Sequence, residues 1–212
     1  MDIKYFFNKK LEVLREFYAT GKVPFDQVLE DAEAEYEQWS HGFAGEDEDP
    51  SPPVEVMDRY EKGNACKSLL GQACLSALQQ TLKECLNDYI KDRGRWREAE
   101  KLVAKLKKEK QDGGWLEQYR IIFRDLLGCD WDKAPVPFSI LEEIVLARNA
   151  IQHEAHTISF GRWRDRRYKS KYPVSLFADE LFPELISVTE DNLRLAMDSI
   201  ERFVEWPITI RG

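Results

Sequence analysis

Around residue 150 the chain reads "LARNAIQHEA" (146–155), an arginine, an asparagine and a histidine set into an otherwise apolar helical run. Arg148 is a permanent planar cation with five donors, Asn149 both donates and accepts, and His153 exchanges a proton near neutral pH. These are the groups needed to cleave RNA through its own 2′-hydroxyl. That reaction removes a proton from the 2′-OH, delivers one to the leaving oxygen, and gathers negative charge on the phosphoryl oxygens. An imidazole serves either proton transfer and a guanidinium holds the charge, while Asn149 orients substrate or imidazole. The nucleophile comes with the substrate, so the expectation includes neither metal nor cofactor. His156 follows His153 in "HEAH", but no further ligand cluster accompanies the pair, which argues against a metal centre.

The next basic stretch, "GRWRDRRYKSKYP" (161–173), carries Arg162, Arg164, Arg166, Arg167, Lys169 and Lys171 against one acid, Asp165. Trp163 and Tyr168 are interleaved with them. Cations for phosphates and aromatic faces for bases make this a candidate surface for single-stranded RNA. It begins eight residues after His153 and should lie near the same cleft.

The element that positions the motif is a helix with two apolar sides. With Ile140 at the origin and about 100° per residue, Ile144, Ala147 and Ile151 fall within about 40° of it. A second apolar patch is formed by Val145 at about 140° and Leu146 at about 240°. Between those two lie Asn149 at about 180° and His153 at about 220°, with Arg148 at about 80° on the shoulder. Such a helix is either deep in a core or shared with a partner, and deep burial of a fixed cation is costly. The expectation is therefore a homodimer about this helix. Arg148 and His153 stand about 140° apart on one helix, and a second copy would supply their convergence in a common wet cleft.

Almost every other periodic segment is also helical. Residues 3–19 and 25–40 read as two helices joined by "TGKVP", with Gly21 as a stop and Pro24 as a start. "GEDEDPSPP" (45–53) reads as a linker. A long helix covers about 56–92, with Gly63 and Gly71 as points of weakness. A basic helix around 95–110 ends at Gly113-Gly114, and another over 115–127 ends at Gly128. Ser139 with Glu142 fits a capping box opening the motif helix. A last helix begins near Ser187, which makes a similar box with Glu190, or near Thr189. No strand is expected. The fold class is all-α, with an acidic helical hairpin at 1–44, a linker at 45–55 and a helical bundle at 56–212.

"RNAIQH" (Arg148 to His153) in this helical setting resembles the R-x(4–6)-H signature of HEPN domains, where a polar residue such as Asn often follows the Arg. A looser likeness runs through "ACLSALQQTLKECLNDYI", "DLLGCDW" and "VTEDNLRLAMDSIERFVEW", and leaves residues 1–55 outside it. The resemblance implies an all-α, usually dimeric protein and a metal-independent endoribonuclease, with Arg148 and His153 as the active pair and Asn149 assisting. It also implies a role as a toxin or in antiviral defence, beside a nucleotidyltransferase antitoxin. This chain has no nucleotidyltransferase motif, so that antitoxin would be a separate protein. Inactive HEPN domains exist, and the alternative is a non-catalytic helical interaction module.

Composition agrees with a globular protein in the cytoplasm. Of 212 residues 43% are hydrophobic and 33% charged, and no apolar run is long enough for a membrane span or a secretory signal. Cys66, Cys74, Cys85 and Cys129 form no C-x-x-C pair and suit buried thiols in a reducing compartment. There is no Walker-type or G-x-G-x-x-G loop for a nucleotide. The net charge of −8 is local: residues 1–60 hold 15 Asp and Glu against 6 Lys and Arg, and the remainder 24 against 25. The acidic N-terminal part is a candidate cover for the basic stretch, or a site for another protein.

Overall fold

The computed structural model describes residues 2–42, 51–109, 114–153, 162–163, 166–172, 174–179 and 185–206. Its axis is α2 (Val54–Asp92), whose Cys74, Leu75, Leu78, Leu82, Cys85, Leu86 and Ile90 recur at helical spacing and are all buried. Around α2 pack α1 (Ile3–Gly42), α3 (Trp96–Lys108), α5 (Phe138–His153) and α7 (Glu190–Glu205). The remaining helix of the body, α4 (Trp115–Leu127), lies on α3. It ends where the sequence predicts, with Gly128 left-handed at φ 66° and the Cys129 N–H donating to the Phe123 carbonyl at 2.8 Å. A short 3-10 turn at Trp131–Lys133 then sets the Trp131 ring edge-on against Phe123 and Phe203, at 5.4 and 4.8 Å between centroids.

The described chain is all-α apart from a minimal antiparallel ribbon, β1 (Arg162–Trp163) with β2 (Leu185–Ile186). Between the two strands lies a single short helix among the described residues, α6 (Arg166–Lys171). Thr189, not Ser187, caps α7, its Oγ1 accepting from the Asn192 N–H at 3.3 Å. Burial raises the thiol pKa values of Cys74, Cys85 and Cys129 to about 11, 12 and 11, so they stay protonated at neutral pH. Cys66 is exposed.

The hairpin expected inside residues 1–44 is instead one helix. Neither Gly21 nor Pro24 interrupts α1. Its forty residues extend about 60 Å at about 1.5 Å per residue, packed antiparallel on α2. Lys10 meets Glu84 at 2.6 Å, Asp26 meets Lys67 at 2.5 Å, and Glu35 pairs with Arg59. Packing on α2 outweighs the loss of one N–H at Pro24. Gly21 is small because Leu70 of α2 lies against it; an added Cβ there would stand 3.1 Å from the Leu70 Cδ2. Gly63 has the same role opposite Leu29. Gly21 and Gly63 thus mark close contacts between the two helices.

The inner half of α1 (Ile3, Phe7, Leu11, Leu14 and Tyr18) joins the same core as α5 and α7. The linker at 45–55 therefore does not separate a hairpin from the body. Beyond Tyr18 only Ala32 of α1 is buried, so the outer halves of α1 and α2 project from the core as a two-helix arm.

Gly71 is the tightest position. A Cβ there would lie 2.6 Å from the Val188 carbonyl oxygen, which is backbone and cannot rotate away. Helix propensity alone makes Gly→Ala stabilising by about 1 kcal/mol in a helix interior. Here Gly71→Ala is expected to cost about 1–3 kcal/mol by overpacking. Urea unfolding followed by circular dichroism tests this, and a midpoint equal to or above the parent's would refute the close approach.

Candidate functional site

The motif helix α5 starts at Phe138, not Ser139, with the Ile140 N–H donating to the Pro137 carbonyl at 3.0 Å. Glu142 makes no capping box. It accepts instead from Lys171 Nζ at 2.7 Å and Tyr172 Oη at 2.6 Å. Burial, then the hydrogen bond to Glu142, raises the Tyr172 phenol pKa.

Glu143, one residue on, is only 5% exposed. Its Oε1 accepts from the Leu176 N–H at 2.7 Å and from Tyr168 Oη at 3.2 Å. The Tyr168 hydroxyl also lies 2.6 Å from Ser175 Oγ, which accepts from the Phe177 N–H at 3.0 Å. Asn192 of α7 donates to the carbonyls of Leu176 and Ser187 at 3.2 and 2.9 Å and ties the same segment down from the other side. Two adjacent glutamates thus clamp Tyr168, Lys171, Tyr172 and Leu176 onto α5. Sequence reasoning missed Glu143. Its signal was an acid at a core-facing position of an apolar helix, which requires donors from elsewhere in the fold.

The clamp changes the reading of α5. Ile144, Ala147 and Ile151 of the predicted core stripe are buried and Ile140 is partly buried, but Leu141, Val145 and Ala150 are buried as well. Of the second apolar side, Val145 is buried and Leu146 partly buried against the same core, which also holds Tyr168, Phe177, Ile186 and Val188. The apolar residues of that side therefore do not by themselves require a second copy.

Arg148 is partly buried on this enclosed helix. Its Nη1 donates to Asn149 Oδ1 at 3.3 Å, and its buried Nε has no partner among the described residues. No carboxylate among those residues pairs with it, whereas Arg15, Arg59, Arg120, Arg124 and Arg194 each reach one. Burial lowers the Arg148 pKa from its ordinary value, as expected for a cation held partly out of water. The site is therefore a guanidinium with unused donors and no anion among the described residues.

His153 is the last residue of α5. The basic stretch does lie beside this helix, since β1, carrying Arg162 and Trp163, and α6, beginning with Arg166 and Arg167, both pack on α5. Within α6, Lys169 is exposed and Lys171 is engaged with Glu142. Tyr168 corrects the sequence reading. Its ring is 1% exposed and leaves no face for a base, so it holds the segment down. Arg164 and His156 lie outside the described residues. The acidic cover is not seen among those residues, where the ion pairs of α1 with other elements run to α2 and α7. Among the described residues no three His, Cys, Asp or Glu converge as a metal-binding group, and no helix is long and apolar enough to cross a membrane.

Comparison of the chain with protein-family models, curated proteins and solved structures gives no match.

If Arg148 is kept for a ligand rather than for the fold, removing its charge should not hurt stability. Arg148→Met keeps the stem and relieves the desolvation of an unpaired cation, so urea unfolding should give a stability equal to the parent or up to about 1 kcal/mol higher. A loss of about 2 kcal/mol or more would mean that the guanidinium is a structural partner.

Proposed function

We propose that the chain is a metal-independent endoribonuclease of HEPN type, acting on single-stranded or loop RNA at the C-terminal half of α5. The observation that carries this reading is Arg148, a partly buried guanidinium with a buried, unpartnered Nε and no carboxylate among the described residues. A fixed cation in that setting is built to receive an anion, and its planar fork matches two oxygens of a phosphodiester. In the proposed reaction the substrate 2′-oxygen attacks phosphorus as the bond to the 5′-oxygen breaks, leaving a 2′,3′-cyclic phosphate and a 5′-hydroxyl. His153 moves one of the two protons involved, and Arg148 holds the negative charge that builds on the phosphoryl oxygens. Asn149, hydrogen-bonded to Arg148, fixes the direction of the guanidinium.

The basic segment on α5 supports RNA as the substrate, through Arg162, Trp163, Arg166, Arg167, Lys169 and Lys171, with Arg164 assigned to it from sequence alone. A homodimer belongs to this reading through the HEPN resemblance and through the roughly 140° between positions 148 and 153 on one helix, which a second copy compensates. A role as a toxin or in antiviral defence, restrained by a separate antitoxin, follows from the same resemblance.

The purified protein is expected to cleave unstructured RNA in EDTA and leave 2′,3′-cyclic phosphate ends. Arg148→Ala and His153→Ala should each lower the rate by about 10²–10⁴-fold with an unchanged circular dichroism spectrum. Full activity in His153→Ala would remove its assigned role. A parent protein that cleaves nothing, with the two substitutions altering only its association with other chains, would make α5 part of an interaction module instead.

A further inference from the structure

The outer arm of α1 and α2 carries a surface that RNA cleavage does not use. Between the two helices lies a groove of about 460 Å³ with Ala32 and Val56 buried at its floor. Tyr36, Met57 and Tyr60 form its walls and remain 44%, 39% and 36% exposed, while Glu33 and Glu37 stand at its lip. Three large, partly apolar side chains are thus grouped on one exposed surface.

Charge identifies the kind of partner. Residues 23–42 and 54–67 hold nine Asp and Glu against three Lys and Arg. All three cations are consumed inside the arm, Arg59 by Glu35, Lys62 by Asp58 and Lys67 by Asp26. Glu30, Asp31, Glu33, Glu37, Glu55 and Glu61 make no ion pair among the described residues. A groove with an apolar floor, aromatic walls and an unneutralised acidic lip is complementary to a helix with one apolar face and lysine or arginine beside it. Two antiparallel helices with a groove between them accept such a helix as the third member of a small bundle.

We infer that the arm is a docking site for a basic amphipathic helix of another protein, anchored by apolar side chains against Tyr36, Met57 and Tyr60. This does not depend on the proposed nuclease activity.

The probe is a fluorescein-labelled synthetic helix with leucine at i, i+3, i+4 and i+7 positions and lysine elsewhere, titrated with the full chain and followed by anisotropy. The counterpart with glutamate in place of lysine is the control. Saturable binding of the lysine helix, absent with the glutamate helix, is expected. Met57→Glu and Tyr60→Ala should each weaken binding by about tenfold or more, as the loss of a central anchor does. Both positions are exposed, and a parent-like circular dichroism spectrum checks the fold. Met57→Glu is the decisive variant, because it adds negative charge: unspecific attraction would tighten, whereas seating in the groove must weaken. Equal or tighter binding by Met57→Glu, equal binding of the two peptides, or no binding at all overturns the proposal. So does concentration-dependent self-association in sedimentation that Met57→Glu abolishes, which would assign the groove to a second copy.

Discussion

The burial of Glu143 constrains α5 more than any other single interaction. A carboxylate taken out of water without donors costs several kcal/mol, so α5 is not stable in its observed place until the Leu176 amide and the Tyr168 hydroxyl reach it. The chain around Tyr168 and Leu176 must therefore fold back onto the helix. Once it does, Tyr168 and Phe177 join the core that also holds Val145, and the basic stretch is held beside the helix that carries Arg148. The placement of the candidate site is a consequence of this clamp. Asn192 reinforces it from α7 and links it to the Gly71 approach, because β2, Val188 and the start of α7 follow one another in the chain.

How much of this was legible depended on whether the deciding forces were local. The interior of α2, the stop at Gly128 and the whole of α4 follow from apolar spacing and from a glycine that can adopt positive φ, and all were readable. The α1 signals misled because Gly21 and Pro24 are helix breakers only when nothing else holds the helix. Here α2 runs alongside, and Gly21 provides room for Leu70. Gly63 and Gly71 read as weakness for the same reason, although what they mark is contact with Leu29 and Val188. A glycine in a helix thus has two opposite meanings, and only its neighbour in space distinguishes them.

The candidate site divides along the same line. Arg148, Asn149 and their helix were readable because residue chemistry and helical periodicity are carried by the string itself. The basic stretch was readable as basic, but composition gives no ranking among its members. Tyr168 has the same chemistry as a base-stacking residue and lies at the centre of the clamp, and Lys171 has a carboxylate as its partner. A dimer about α5 draws less support from the second apolar side of the helix for a related reason. Two apolar sides on α5 need coverings, and the sequence could not say that Val145 would be buried in the same core as Tyr168, Phe177, Ile186 and Val188.

Where charge is balanced in this molecule it has little to decide. Most of its ion pairs are exposed and join neighbouring turns or neighbouring helices, a type of contact worth about 0–1 kcal/mol each. Two places among the described residues differ from this pattern in their surroundings. At Arg148 a cation is partly withdrawn from water with no acid among the described residues to meet it, and on the outer arm acids surround an apolar groove after every nearby cation has been used. A fold selected for stability alone would have little reason to keep either, since a methionine at 148 or lysines on the arm would relieve the imbalance without touching the core. Each imbalance is relieved equally well by a ligand of opposite sign, an anion small enough to enter beside α5 in one case and an extended cationic surface in the other. The two differ in depth, and depth sets the expected behaviour. Arg148 lies where water is partly excluded, so a charge interaction there would be less screened than one on the open surface. The arm acts in solvent, where charge guides the encounter and the apolar contacts of Tyr36, Met57 and Tyr60 must supply most of the binding.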